Sequence, residues 1–245
     1  MPDSVARFIH FETVQDRDWY LNTKDYRVFD EDSEAAMFKF SYPEDVTMVR
    51  AALHLLKTKG QPDFFAVYLD GLDSMEHLYL PYHFHEQHHE MLKPENIARL
   101  KDVVKEYYVY VDEILGQFLK VLDPSTIVIV VSDHGFDHKL YPGGIYNHLN
   151  APPGVLLIAG NGIKQGETIT NASVKDITPT ILTMFGLPVG RDMDGRVLTE
   201  IFNTEDVPGT WVNTYDTDVR EPGRGAPSQI DKAINERLRA LGYVR

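Results

Sequence analysis

Residues 1–42 are polar and mixed, with a short acidic run at Asp30, Glu31 and Asp32, and this stretch reads as a solvated loop. From Ser41 the pattern changes. Pro43 and Glu44 open a segment whose apolar residues Val46, Val49, Ala52, Leu55 and Leu56 recur at helical spacing, predicting an amphipathic helix that ends near Gly60. The run Phe64-Phe65-Ala66-Val67-Tyr68-Leu69 predicts a buried strand. Residues 81–95 are rich in histidine and polar side chains and read as a loop or lid. A long helix is expected from about Asn96, with Ile97, Leu100, Val104, Tyr107, Val111, Ile114, Leu115 and Phe118 on one broad face.

Thr126 to Val131 is the strongest strand signal in the chain, six consecutive residues suited to a central parallel strand covered on both faces. Residues 154–158 predict another strand. A helix is expected from Thr178, with Pro179 in its first turn and Gly186 as its stop. After about residue 203 the chain is rich in Pro, Gly, Asp and Thr, and it closes with a helix-like piece from Ile230 to Leu241. Strands alternating with helices at these lengths point to an α/β fold with a mainly parallel sheet flanked by helices. The expected division is an α/β domain over 1–202 followed by a tail over 203–245.

There are no cysteines, so any metal must sit on histidines and carboxylates. The formal charge of −13 lacks the basic footprint of a nucleic-acid binder, and no duplex binding is expected. That acidity is compatible with a small phosphorylated substrate, because cations bound to acidic ligands reverse the local field. No apolar run approaches the ~20 residues that span a bilayer. The N-terminal residues do not read as a signal peptide, which gives a lean towards a cytoplasmic location.

Three segments offer metal-ligand chemistry. In Leu69-Asp70-Gly71-Leu72-Asp73-Ser74-Met75-Glu76-His77, the spacing puts Asp73 and His77 one helical turn apart, within reach of one ion. Taken alone, such spacing is common by chance, and the pair reads first as a surface Asp and His on a loop. In Val131-Ser132-Asp133-His134-Gly135-Phe136, the adjacent Asp133 and His134 follow the strongest strand, and ligands of open parallel sheets gather at strand carboxyl ends. The plainer reading is a strand-end turn. The third segment is Asn147-His148-Leu149-Asn150-Ala151-Pro152-Pro153-Gly154, where His148 gains weight by completing the set. Asp70 competes with Asp73, although the spacing to His77 favours Asp73. His138 is a reserve ligand. His83, His85, His88 and His89 read as a solvated cluster, and Asp112 and Glu113 as an exposed helix face. Asn171-Ala172-Ser173 matches a glycosylation sequon, a frequent chance match.

The succession LDGLDSMEH, VIVVSDHGF and NHLNAPPGVLLIAGNGI resembles the alkaline phosphatase superfamily, and within it the type I phosphodiesterases and nucleotide pyrophosphatases. The stretch DITPTILTMFGLPVGRDMDGRVL is similar to a C-terminal helix and loop of that family, and the ending RLRALGYV to endings of some members. The resemblance implies an alkaline phosphatase-like α/β fold and two divalent metal ions, with Zn²⁺ suited to the mixed ligands and Mn²⁺ as the alternative. One ion would be held by Asp73, His77 and His148. The other would be held by Asp133 and His134, together with an Asp and a nucleophilic Thr or Ser from further upstream. The implied activity is hydrolysis of phosphoric esters by a two-metal mechanism.

Family members begin with an apolar strand ending in a metal-binding Asp, followed by the nucleophile loop. No such context surrounds Thr13, Ser33 or Ser41, so no nucleophile is assigned and the fold is expected to be incomplete on its N-terminal side. The alternative is a catalytically inactive metal-binding remnant. An incomplete sheet would expose apolar edges, giving self-association or dependence on a partner fragment.

Overall fold

The computed structural model describes residues 7–8, 33–88, 90–137, 139–141, 145–146, 148–203 and 209–216. The chain divides into two compact units: Met1–Asp123 with Phe136–Pro152, and Pro124–Gly135 with Pro153–Arg245.

The first unit is helical. Its elements are α1 (Ser33–Lys59), α2 (Gly71–His83), the single turn α3 (His85–His88), α4 (Pro94–Leu100) and α5 (Val103–Leu119), with a small hairpin of β2 (Leu140–Tyr141) and β3 (Ile145–Tyr146). α2 is the hub, packing on α1, α4, α5 and β3. Its Met75, Tyr79, Leu80 and Tyr82 are buried with Leu100 of α4, Val103, Val104 and Tyr107 of α5, and Phe8, Phe38 and Phe136. Full burial of a side chain such as Met75 or Leu100 contributes about 1.5–3 kcal/mol. Phe8 adds ring contacts to Phe38, Tyr42, Tyr107 and Tyr110 at centroid distances of 5.2–5.7 Å, each worth about 0.5–1.5 kcal/mol beyond area.

α1 corrects the expected loop over 1–42 from residue 33 onward. Pro43 lies inside the helix rather than at its start. It forfeits one backbone hydrogen bond, and the burial of the apolar Phe38, Val49, Ala52 and Leu56 along one stripe outweighs that loss. The helix ends as expected at Gly60, whose φ of +82° suits the left-handed residue after a helix. The expected loop over 81–95 is also largely helical, because α2 runs through Pro81 to His83 and α3 follows. The expected long helix from Asn96 is broken at Lys101–Asp102 into α4 and α5. Asp112 and Glu113 are exposed, as their positions predicted.

Residues 64–69 do not form the expected buried strand. They form neither helix nor strand, and Phe64, Phe65 and Tyr68 are exposed. An apolar run becomes a strand only when another strand satisfies its backbone, and among the described residues none pairs with it.

The second unit contains β1 (Val128–Val131) and β4 (Leu156–Ala159), then a 3-10 turn at Val174–Asp176, α6 (Ile177–Met184), β5 (Val189–Gly190), a 3-10 turn at Thr199–Ile201, and β6 (Trp211–Val212). Its core is Ile163, Leu198 and Ile201, with Ile127, Leu156, Ile158, Ile169, Met184 and Phe202 against them. The strands expected at 126–131 and 154–158 are present. The mainly parallel sheet is not seen among the described residues: β1 and β4 pair antiparallel, Val128 opposite Ala159 and Val131 opposite Leu156, and only the two-residue pair β5–β6 is parallel. Strand composition sets apolar character, whereas pairing direction is set by the distant path of the chain. α6 begins one residue before the expected Thr178, carries Pro179 in its first turn and stops at Gly186, with φ of +65°. The expected helix at 230–241 lies outside the described residues. No helix among those described is long and apolar enough to cross a membrane.

Candidate metal-binding site

α2 starts at Gly71, directly after Asp70. The Asp70 carboxylate is engaged locally, accepting from Tyr68 Oη at 3.1 Å and Ser74 Oγ at 3.2 Å. That occupation leaves Asp73, in the first turn, as the carboxylate directed to His77. Asp73 Oδ2 lies 3.7 Å from His77 Nε2 across one turn, as their spacing predicted.

His148 joins them from the segment that follows β3. Ligand atoms of Asp73, His77 and His148 all lie within 4.8 Å of one another. The Nε2 atoms of both histidines are withdrawn from solvent. Phe136 stands edge-on to each imidazole, at centroid distances of 4.8 Å to His77 and 6.0 Å to His148. Its ring is itself buried, so it fixes both imidazoles by packing and excludes water from one side. One carboxylate oxygen and two imidazole nitrogens form a donor set that fits Zn²⁺, whose bonds to such atoms are about 2.0–2.2 Å long.

Asp133 and His134 belong to the second unit, at the end of β1. His134 Nε2 lies 3.8 Å from Asp133 Oδ1, and the Asp133 side chain is largely exposed. His134 Nδ1 sits 3.1 Å from the Gly135 carbonyl. A carbonyl only accepts, so Nδ1 carries the proton and neutral His134 keeps its lone pair on Nε2. The turn is tied further by Ser132 Oγ donating to the His134 carbonyl at 2.6 Å and Ser132 N–H donating to the Val155 carbonyl at 2.9 Å. Gly154 permits that approach, because a Cβ there would strike the Ser132 carbonyl.

Of the other candidates, His85 turns Nδ1 to the Tyr82 carbonyl at 3.0 Å, and His83 is exposed with its ring against Phe84. His89 and His138 lie outside the described residues. Ser173, third residue of the sequon, caps the 3-10 turn in a capping box with Asp176, whose Oδ1 also accepts from Arg196 N–H at 2.8 Å.

Sequence reasoning missed two features. Phe136 closes the SDHGF motif, and nothing in a lone aromatic signals contact with distant imidazoles. Asp45 is nearly inaccessible, although it is a carboxylate, and accepts from Tyr107 Oη at 2.7 Å. Its signal was present: Asp45 falls on the same stripe as Phe38, Val49, Ala52 and Leu56, where a charged residue is out of place. Burial raises the Asp45 pKa above the ordinary carboxylate value, against the Tyr107 hydroxyl and the N–H groups of Gly71 and Asp70, which pull it down. Between α5 and α2, the half-exposed Tyr108 donates to Glu76 at 3.0 Å, and its partial desolvation together with the Glu76 charge pushes its phenol up to about 12.

Neither a search of curated proteins nor one of solved structures gives a match. The family model described as type I phosphodiesterase / nucleotide pyrophosphatase matches residues 10–150, more than half of the chain. The match contains Asp73, His77, Asp133, His134 and His148, and it reaches further upstream than the motifs that suggested the resemblance. The chain therefore belongs to the type I phosphodiesterase / nucleotide pyrophosphatase family.

Proposed function

We propose that this protein takes part in metal-dependent hydrolysis of phosphoric esters of the phosphodiester or nucleotide type, with two divalent cations. One is held by Asp73, His77 and His148, the other by Asp133 and His134. The observation that carries this reading is the convergence of Asp73, His77 and His148 from two separate segments, with their ligand atoms within 4.8 Å. Zn²⁺ suits the donors best and Mn²⁺ is the alternative. When bound, such ions supply charge for the transferring phosphoryl group and its leaving oxygen.

The chain's own residues supply the frame. Asp73 brings negative charge that balances a cation, and His77 and His148 bring neutral nitrogen donors. Phe136 holds the two rings and keeps water from one side of them. His134, with its proton held at Nδ1, offers Nε2. The attacking Thr or Ser and a further Asp are assigned to a segment preceding Asp73 in the sequence, and no residue described here is given either role.

The substrate is proposed to be a small phosphorylated molecule, in keeping with the formal charge of −13, which is not that of a nucleic-acid binder. Val131 and Leu157, exposed on the β1–β4 pair, and Val155 just before β4, support self-association or a partner fragment. Sedimentation over a range of concentrations tests that.

The test of the activity is hydrolysis of bis(p-nitrophenyl) phosphate with added Zn²⁺ or Mn²⁺, alongside metal content by mass spectrometry for wild type and Asp133→Ala. Bound metal that falls in Asp133→Ala, with turnover that falls in parallel, supports the reading. A wild-type protein that retains neither ion and turns over nothing overturns it.

A further inference from the structure

We infer that Asp45 is a positioning residue for the metal-ligating helix, acting through a three-helix clamp with Tyr107 and Gly71; this rests on the metal reading proposed above. The first N–H groups of any helix lack partners within it. At the start of α2 the capping residue Asp70 supplies no cap from its own side chain. Asp45 Oδ1, from the middle of α1, takes its place, accepting from the N–H groups of Asp70 at 3.2 Å and Gly71 at 3.3 Å. The other oxygen, Oδ2, accepts from Tyr107 Oη of α5 at 2.7 Å. One carboxylate thus joins α1, α2 and α5 at the end of α2 that begins with the ligand-bearing turn.

The closeness of the clamp excludes a side chain at residue 71, since a Cβ there would overlap Tyr107 Oη and the Asp45 carboxylate. A buried carboxylate is a costly way to join helices, and an apolar residue would pack more cheaply. What the carboxylate adds is direction. Its two oxygens fix both the axial position and the rotation of the first turn, and negative charge is favourable at a helix N-terminus. Asp73 lies in that turn and His77 one turn beyond, so their ligand atoms inherit the placement. Metal sites need such support, because small errors in ligand position lower affinity.

Full-length wild type, Asp45→Ala, Asp45→Asn, Tyr107→Phe and His148→Ala are titrated with Co²⁺, reading affinity and the visible ligand-field spectrum, with circular dichroism to confirm folding. His148→Ala is expected to weaken binding and change the spectrum. Asp45→Ala is expected to weaken Co²⁺ binding by about 10- to 100-fold, the range for lost outer-shell partners, with an altered band. Asp45→Asn keeps an acceptor for the helix N–H groups and is expected to restore most of the affinity. If Asp45→Ala does not fold, Tyr107→Phe decides by the same criterion of altered spectrum and weaker binding. Sensitivity to His148→Ala combined with wild-type binding in Asp45→Ala, or in Tyr107→Phe where that variant decides, overturns this inference alone. Binding indifferent to His148→Ala overturns the metal reading and the inference together.

Discussion

The imidazole rings of His77 and His148 stand 5.4 Å apart, centroid to centroid, at an interplanar angle of 72°, although 71 positions separate them in the chain. With Asp73 they bring ligand atoms within 4.8 Å of one another, a grouping that could hold a cation. Replacing His148 by Ala is expected to weaken Zn²⁺ binding at this position by at least about 10- to 100-fold, since losing even an outer-shell partner costs that much. Competition against a chromophoric chelator measures it. Unchanged affinity would remove His148 from the ligand set.

Gly71→Ala sets two effects against each other. Intrinsic helix propensity favours Ala by about 1 kcal/mol. The added methyl meets Tyr107 Oη and the Asp45 carboxylate in a closed space, and overpacking of that kind costs about 1–3 kcal/mol. The clash is expected to win, lowering the urea midpoint. A variant as stable as wild type would show that the clamp yields readily.

The pH dependence of Asp45 has a defined sign. Its pKa is raised on folding, with burial as the largest cause, so its contribution to stability is fully present below the unfolded Asp pKa of about 3.9 and is lost as pH rises through the higher folded value. Subtracting the unfolding free energy of Asp45→Asn from that of wild type isolates the group. As pH rises above about 4, that difference is expected to fall, and to level once the pH has passed the folded value. A flat difference over that rise, measured by urea titration, counts against the assignment.

Ser41 offers the opposite case. Its hydroxyl oxygen is buried and has no hydrogen-bond partner among the described residues. An unsatisfied buried polar group costs about 1–3 kcal/mol, and Ala has the better helix propensity. Ser41→Ala is expected to raise the thermal midpoint. A loss of stability would instead point to a bond made by the hydroxyl.

What could be read from the sequence was local. The turn-spaced Asp73 and His77, the polar pair after the apolar run ending at Val131, and the glycine stops at Gly60 and Gly186 all depend on neighbours a few residues away. The start of α1 was missed because Pro43 is a favourable first-turn residue, and only the burial of Phe38 and Ser41 explains why the helix continues upstream of it. Residues 64–69 have strand composition, but a ladder needs a partner that composition cannot name. The same holds for the antiparallel pairing of Val131 with Leu156. Asp45 was visible as an oddity on an apolar stripe, yet its partners Tyr107 and Gly71 lie on other helices. His148 entered the reading through motif order, and the packing of Phe136 against it had no local signal.

The two units are interlaced along the chain: residues 124–135 belong with 153–245, while 136–152 return to the first unit. No single backbone cleavage can therefore release either unit whole. A fragment ending at Asp123 forfeits Phe136 and His148, and with them a wall and a ligand of the Asp73 site. A fragment beginning at Pro153 forfeits β1, leaving β4 without its ladder. The halves must be synthesised and tested as one continuous polypeptide, and domain-dissection experiments would destroy what they set out to isolate.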